Sequence, residues 1–228
     1  MLELRDLCAG YGGAQVLDRV QFHLLKGEVL GILGRNGAGK STLVKAVMGM
    51  LPQTSGSIEF RSQQLLGLPT YRIGRAGVSL VPQGRWIFPR LSVLQNLQAA
   101  CPVGTEPPDI IFSYFPVLKQ RLRQMGGTMS GGEQQMLAIA RAMCARPKVL
   151  LLDEPSDGVQ PNIVQMLGEL IPSLCKELEI SAVLVEQNLD LVMNAAQRWL
   201  VLERGRIVHE GRLNSLGELE TLEKLLGV

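Results

Sequence analysis

Long apolar runs are absent. Although 46% of the 228 residues are hydrophobic, no window approaches the ~18 consecutive apolar residues of a membrane-crossing helix. The first residues, Met1-Leu2-Glu3-Leu4-Arg5-Asp6, show no charged leader followed by an apolar core, so no secretory signal is expected. Cysteine is sparse and scattered, at Cys8, Cys101, Cys144 and Cys175, with no C-x-x-C pair. That spacing argues against metal ligation and predicts reduced, structural thiols. Charge of one sign is missing too: the formal net charge of +2 is too small to imply a nucleic acid or an anionic membrane surface as partner. The two histidines, His23 and His209, have no metal-like or triad-like neighbour in sequence and are expected on strand surfaces. No aspartate is followed by glycine three residues later, which removes the D-x-x-G element of a GTPase switch. No repeat, low-complexity tract or linker divides the chain. These absences leave a soluble, cytoplasmic chain with enough length for a sizeable core.

What is present begins with Gly34-Arg35-Asn36-Gly37-Ala38-Gly39-Lys40-Ser41-Thr42. The apolar run Val29–Leu33 precedes it as a short buried strand, and Leu43–Met48 can continue as a helix. Strand, glycine-rich loop and helix in that order form the setting of a phosphate-binding P-loop. Glycines at 34, 37 and 39 permit backbone conformations closed to residues with a Cβ, so successive N–H groups can curl around phosphate oxygens. The helix dipole points its positive end at the same anion. Lys40 can reach the β- and γ-phosphates, and the Ser41 hydroxyl is placed to ligate Mg²⁺. The motif predicts binding of a nucleoside triphosphate.

The rest of the chain alternates strands and helices, which predicts an α/β fold. Leu2–Leu7 and Val16–Phe22 read as strands around the break Gly10–Gly13, which leaves Tyr11 as an aromatic at a glycine-rich strand end. Pro52–Gly56 reads as a turn, Ser57–Phe60 as a strand, and Val78–Gln83 as a buried strand ending in proline and glutamine. From Gly84 to about Met125 the character changes, with helices expected over Ser92–Gln98 and Ile110–Arg123. A helical insertion over roughly 85–145 in a single domain spanning 1–228 accounts for this. Val149–Leu152 is a continuous apolar run suited to a central parallel strand. Ile163–Leu178 is helical with a possible kink at Pro172, Ile180–Val185 is a strand, Trp199–Glu210 is a hairpin, and the tail from Leu213 is a short helix at most.

Two further stretches carry chemistry. Asp153 and Glu154 end the apolar strand. Beside a P-loop, Asp153 stands where Mg²⁺ needs its second protein contact, and Glu154 could orient or deprotonate an attacking water. Ser130-Gly131-Gly132-Glu133 has the S-x-x-E form of a capping box ahead of an apolar periodic run. Two glycines in a first helical turn are poor helix formers, so close approach of a phosphate is the stronger reading.

Taken together, Gly34–Thr42, Gln83, Met129–Gln135 and Leu150–Pro155 resemble the ATP-binding cassette (ABC) ATPases, in order and spacing, over essentially the whole chain. The resemblance implies a P-loop NTPase core with a mostly parallel sheet, an N-terminal antiparallel β subdomain and a helical subdomain carrying the signature. It implies ATP and Mg²⁺ as ligands, Tyr11 stacking on adenine, and Gln83 touching Mg²⁺ or the attacking water. Ser130, Gly131 and Gly132 would contact the γ-phosphate of ATP held by a second cassette, so that two chains pair head to tail. Glu154 would be the catalytic carboxylate, with Lys40 and the residue at the switch position assisting.

This chain departs from the family pattern at Met129 and Glu133, at Gln160, and at the switch, where Gln187 replaces histidine. Glutamine can hydrogen-bond a γ-phosphate but cannot carry positive charge. The segments Val185-Glu186-Gln187-Asn188, Pro82-Gln83-Gly84-Arg85 and Gly158-Val159-Gln160-Pro161 resemble the branch importing branched-chain amino acids and its urea-transporting relatives, with Gln83 and Gln160-Pro161 tilting toward the urea side. Such importers imply a peripheral subunit on the cytoplasmic face of the inner (plasma) membrane. They also imply membrane-spanning permease subunits docking near Gln83–Phe88 and, indirectly, a solute-binding protein. Trp86 and Phe88 either pack in the core or line a groove for a permease helix. A soluble ABC protein or an ATP-gated clamp with little hydrolysis is the alternative. Gln187→Ala is expected to slow ATP hydrolysis by less than loss of Glu154 does, as a steady-state phosphate-release assay will read.

Overall fold

A strand with all 5 residues buried sets the frame: β3 (Val29–Leu33). It can be apolar throughout because a parallel sheet is covered on both faces. In the computed structural model, which describes residues 1–212 and Leu222, β3 pairs in parallel with β8 (Ser181–Glu186) and β9 (Arg198–Glu203). β7 (Val149–Asp153) joins β8, β6 (Val78–Val81) joins β7, and β10 (Arg206–Arg212) closes the far edge antiparallel to β9. The sheet order is therefore β10-β9-β3-β8-β7-β6. A second, antiparallel sheet of β1 (Leu2–Tyr11), β2 (Ala14–Leu24), β4 (Gln53–Phe60) and β5 (Gln63–Gln64) runs in the order β2-β1-β4-β5.

Strand parity sorts side chains into two cores, because successive residues point to opposite faces. Val29 and Leu33 of β3, with Leu150, Leu152 and Leu184, face α6 (Gly131–Cys144), α7 (Pro161–Glu177) and α8 (Leu189–Ala195). Leu30 and Ile32, with Leu151, Val183 and Val185, face α1 (Lys40–Val47) and the antiparallel sheet. α2 (Thr70–Ala76) leads into β6, and between β6 and β7 lie α3 (Val93–Gln98), α4 (Asp109–Tyr114), α5 (Pro116–Gln120), a 3₁₀ turn at Gly126–Thr128 and α6. No helix among the described residues is long and apolar enough to cross a membrane.

The segment expected as one helix over Ile110–Arg123 is two. Pro116 has no N–H to donate and disfavours helical backbone at the residue before it, and Phe115 turns out of the helix at φ −126, ψ 66. Pro172, by contrast, sits inside α7 without dividing it. The turn expected at Pro52–Gly56 is absorbed into β4, where Gly56 at φ +97 takes up a register irregularity against Arg5 and Cys8 of β1. His23 is exposed on β2, and His209 on β10 stacks on buried Trp199 with ring centroids 5.3 Å apart. All four cysteines are free, and burial pushes the Cys144 and Cys175 thiols up to about 12. The short helix expected in the tail lies outside the described residues, Leu222 excepted.

One charged cluster joins the two sheets. Arg198 of β9 donates to Glu28 at 2.8 Å and to Glu210 at 2.7 Å, and also to the carbonyl of His23. Glu28 in turn accepts from the Leu25 N–H at 2.7 Å. Burial raises the Glu28 carboxyl, but the Arg198 hydrogen bond, the Leu25 N–H and the nearby positive charge together hold it below its ordinary value. Because its folded pKa is depressed, its stabilisation is complete above about pH 4.3 and fades as pH falls through the lower folded value. Arg198→Ala strands a buried carboxylate and should lower unfolding free energy by roughly 3 kcal/mol at pH 7 in denaturant titration, with a smaller loss below pH 4.

Candidate nucleotide-binding cleft

The loops that matter all leave the C-terminal ends of parallel strands, where the crevice of an open α/β sheet lies. Gly34–Gly39 follows β3, Gln83 follows β6, Glu154 follows β7 and Gln187 follows β8. Gly37 and Gly39 adopt φ +81 and +108, the left-handed values that turn the backbone into the start of α1. The loop is braced from behind: the Gly205 N–H donates to the Ala38 carbonyl at 2.9 Å, and the Gly205 carbonyl accepts from Asp18 at 2.8 Å. A Cβ at Gly205 would lie 1.8 Å from the Val16 carbonyl, so only glycine fits there.

Lys40 is buried, with 4% of its surface exposed. It donates to the carbonyls of Gly34 at 2.7 Å and Arg35 at 3.1 Å and forms an ion pair with Glu154 at 2.9 Å. Ser41 Oγ donates to Asp153 Oδ1 at 3.1 Å, and Gln83 Nε2 donates to Glu154 at 2.9 Å and Asp157 at 3.3 Å. Glu154 sits at φ +48, a strained value for a residue with a side chain. Val16, Asn36, Gly37, Gly39, Lys40, Ser41, Thr42, Gln83 and Glu154 line a cleft of about 280 Å³. Burial, reinforced by the neighbouring Glu154 charge and opposed by the Ser41 hydrogen bond, pushes the Asp153 carboxyl up to about 6.

Other predicted residues stand elsewhere. Gly34, Arg35 and Ala38 line an adjoining cavity of about 370 Å³ bounded by Val201–Arg204. Tyr11, 43% exposed at the tip of the β1–β2 hairpin, does not line the cleft; Val16 does. Ser130, Gly131 and Gly132 do not line it either. The Ser130–Glu133 capping box is fully formed. Its glycines also serve close packing inside the chain, since a Cβ at Gly132 would meet Ile163 at 2.9 Å and one at Gly131 would meet Arg85 at 3.2 Å. The Gln187 side chain is exposed and makes no hydrogen bond among the described residues. Trp86 and Phe88 are surface residues, 61% and 48% exposed, so core packing is overturned. Arg141 lies 4.9 Å from the Phe88 ring centroid and donates to the Trp86 carbonyl at 2.7 Å.

Two residues escaped the sequence reading. Glu186, 1% exposed, accepts N–H bonds from Ser156, Gln187 and Asn188. Burial raises its carboxyl, and these N–H groups together with the Ser156 side chain pull it partly back. Arg85, at φ +70, donates to the carbonyls of Asp157 at 3.3 Å and Gly158 at 2.9 Å. Both stand in segments that resemble the importer branch, but no role was assigned to either; an acid next to the switch position was the only signal for the first.

A P-loop at the end of a central parallel strand, an acid pair at the end of the strand two places away and a capped signature helix agree with the protein-family comparison. The family model described as ABC transporter matches residues 17–157. The chain belongs to the ABC transporter family. This ABC protein is 44% identical over 214 residues to the high-affinity branched-chain amino acid transport ATP-binding protein BraG of Pseudomonas aeruginosa, covering 91% of each chain. It is 34% identical over 230 residues to a probable branched-chain amino acid transport ATP-binding protein, LivF, of Archaeoglobus fulgidus, covering 99% of this chain and 98% of the relative. The Escherichia coli lipopolysaccharide export ATP-binding protein LptB is 31% identical over 219 residues, covering 92% and 90%. Among solved structures, an ATP-binding cassette of an ABC transporter in its ADP conformation superposes with a TM-score of 0.82 at 26% identity, covering 100% and 99%.

The donor set fits Mg²⁺: a serine hydroxyl and a carboxylate already touch, and this hard cation takes oxygen ligands while keeping several waters. Without the ion, the buried Asp153 carboxylate costs stability. Its folded pKa of about 6 lies above the unfolded ~3.9, so stability falls as pH rises between these values. Asp153→Asn should therefore stabilise the nucleotide-free chain by about 1–3 kcal/mol at pH 7, with the gain vanishing below about pH 4. Thermal unfolding at both pH values, with and without Mg²⁺ and ATP, will read this together with the loss of the Mg²⁺ response.

Proposed function

We propose that this ABC protein is the ATP-hydrolysing subunit of a membrane importer for a small polar solute. The observation that carries the reading is one cleft lined by Lys40, Ser41, Gln83 and Glu154, with Asp153 hydrogen-bonded to Ser41. In the free protein Lys40 is neutralised by Glu154. Triphosphate oxygens entering the loop offer Lys40 a stronger partner, which releases Glu154 to hold and deprotonate a water aimed at the γ-phosphate. Ser41 and Asp153, with Gln83 nearby, would hold Mg²⁺, which would supply positive charge against the phosphates. Loop N–H groups and the α1 N-terminus add fixed positive potential, so positioning and electrostatics carry most of the catalysis.

Gly34–Thr42 grips the phosphates, and Tyr11 stacks on adenine from the β1–β2 hairpin. Ser130, Gly131 and Gly132 lie outside this chain's own cleft, which supports their serving the ATP of a second cassette. The names of the relatives favour branched-chain amino acids over urea as the solute, although one relative at 31% identity serves export. The exposed Trp86 and Phe88 beside Gln83 suit docking of permease subunits. The cassette would then sit peripherally on the cytoplasmic face of the inner membrane, with a solute-binding protein acting through the permease.

Glu154→Gln should retain ATP binding while turnover drops by a factor of about 100 or more. Nucleotide binding and phosphate release measured on the same preparation test this; undiminished release excludes the catalytic role. A clamp that binds ATP and barely hydrolyses it would show no turnover in the unmodified chain either.

A further inference from the structure

Glu186 is a buried acid with no place in the catalytic reading above. It ends β8, one residue before the switch position, and its contacts reach three loops. Its backbone carbonyl accepts from the N–H of Gly34, where the phosphate loop begins, at 3.3 Å. One carboxylate oxygen accepts from the Ser156 N–H at 2.9 Å, and the other from Gln187 at 3.0 Å and Asn188 at 3.1 Å. Ser156 lies two residues beyond the strained Glu154, whose own N–H is tied to the Val185 carbonyl at 2.9 Å. Asn188 is fixed on its other side, where its side chain accepts from Leu191 as the cap of α8.

We infer that Glu186 is a positioning residue for hydrolysis, holding the exposed Gln187 and the loop that carries Glu154 in register with the phosphate loop. A carboxylate suits the task because it accepts on both oxygens and can serve two loops at once. Glutamine at 186 has one acceptor oxygen, and its amide nitrogen would face an N–H donor. Whichever way the amide turns, either the Ser156 side or the Gln187–Asn188 side loses its partner. Glu186 is not among the residues that line the cleft, and its carboxylate bonds are to the backbone N–H groups of Ser156, Gln187 and Asn188. Its loss should therefore lower kcat and leave the KM for ATP nearly unchanged.

This inference rests on the ATPase reading, and the test separates the two. Steady-state hydrolysis by the full chain is measured for the unmodified protein, Glu186→Gln, Gln187→Ala and the double variant, with amide hydrogen exchange on the same samples. Glu186→Gln is expected to lower kcat about tenfold with KM within about twofold. On the Gln187→Ala background it should cost no more than about threefold, because the two substitutions disable one arrangement. Exchange at Ser156, Gln187 and Asn188 should accelerate whether or not the chain turns over ATP. Full multiplicative losses, a kcat within twofold of the unmodified chain, or unchanged protection at those amides would each overturn the positioning role. If Glu186→Gln fails to show an ATP-induced rise in Tm, Glu186→Asp replaces it under the same criteria, since aspartate keeps the charge but is one methylene too short to span both loops. An unmodified chain that does not hydrolyse ATP defeats the ATPase reading alone, and the exchange measurement still decides the inference.

Discussion

A lysine amine withdrawn from water must find oxygens, and the surroundings of Lys40 are built to supply them. Two backbone carbonyls and the Glu154 carboxylate take its three protons. The carbonyls are within reach only because left-handed glycines fold the loop back over the head of α1. The carboxylate is within reach only because β7 delivers Glu154 in a strained conformation two strands away from β3. Under the proposed function, Glu154 is an internal stand-in for the anionic phosphate that would enter the loop. Burial makes the lysine dependent on an anion, and Glu154 supplies one from within the chain.

The parallel sheet turns this local requirement into a fold-wide one. Strand parity divides the apolar residues of β3, β7 and β8 between two separate cores. A one-residue slip in any of these strands would move apolar side chains to the wrong face and shift the loop at its end. Loop placement and core packing are thus one constraint. The same sheet brings Asp153 out of water at its C-terminal edge, where burial pushes its carboxyl up to about 6.

What the sequence made legible was whatever could be read over a few consecutive residues. The phosphate loop, the acids after the apolar strand and the capping box are local patterns, and each stands where its pattern predicts. Pro116 was equally local, and the helix drawn through it overlooked a direct steric rule. Gly56 misled because a glycine that relieves a strand irregularity has the same appearance as one that ends a strand. Trp86 and Phe88 were undecidable without knowing which face of their segment meets solvent. Glu186 and Arg85 were invisible for a deeper reason: what they do depends on loops at residues 156–158 approaching residues 85 and 186, and only the tertiary fold sets that distance.

The brace behind the phosphate loop bears on how the protein comes into being. Residues 34–42 leave the ribosome well before residues 181–203, with which β3 gains its flanking strands, and the Ala38 carbonyl meets its partner only when Gly205 has been made. Such long-range closure is slow relative to helix formation. A nascent chain would thus carry the complete motif without a finished site until these later residues are made, and nucleotide would first find a home as β8, β9 and Gly205 dock.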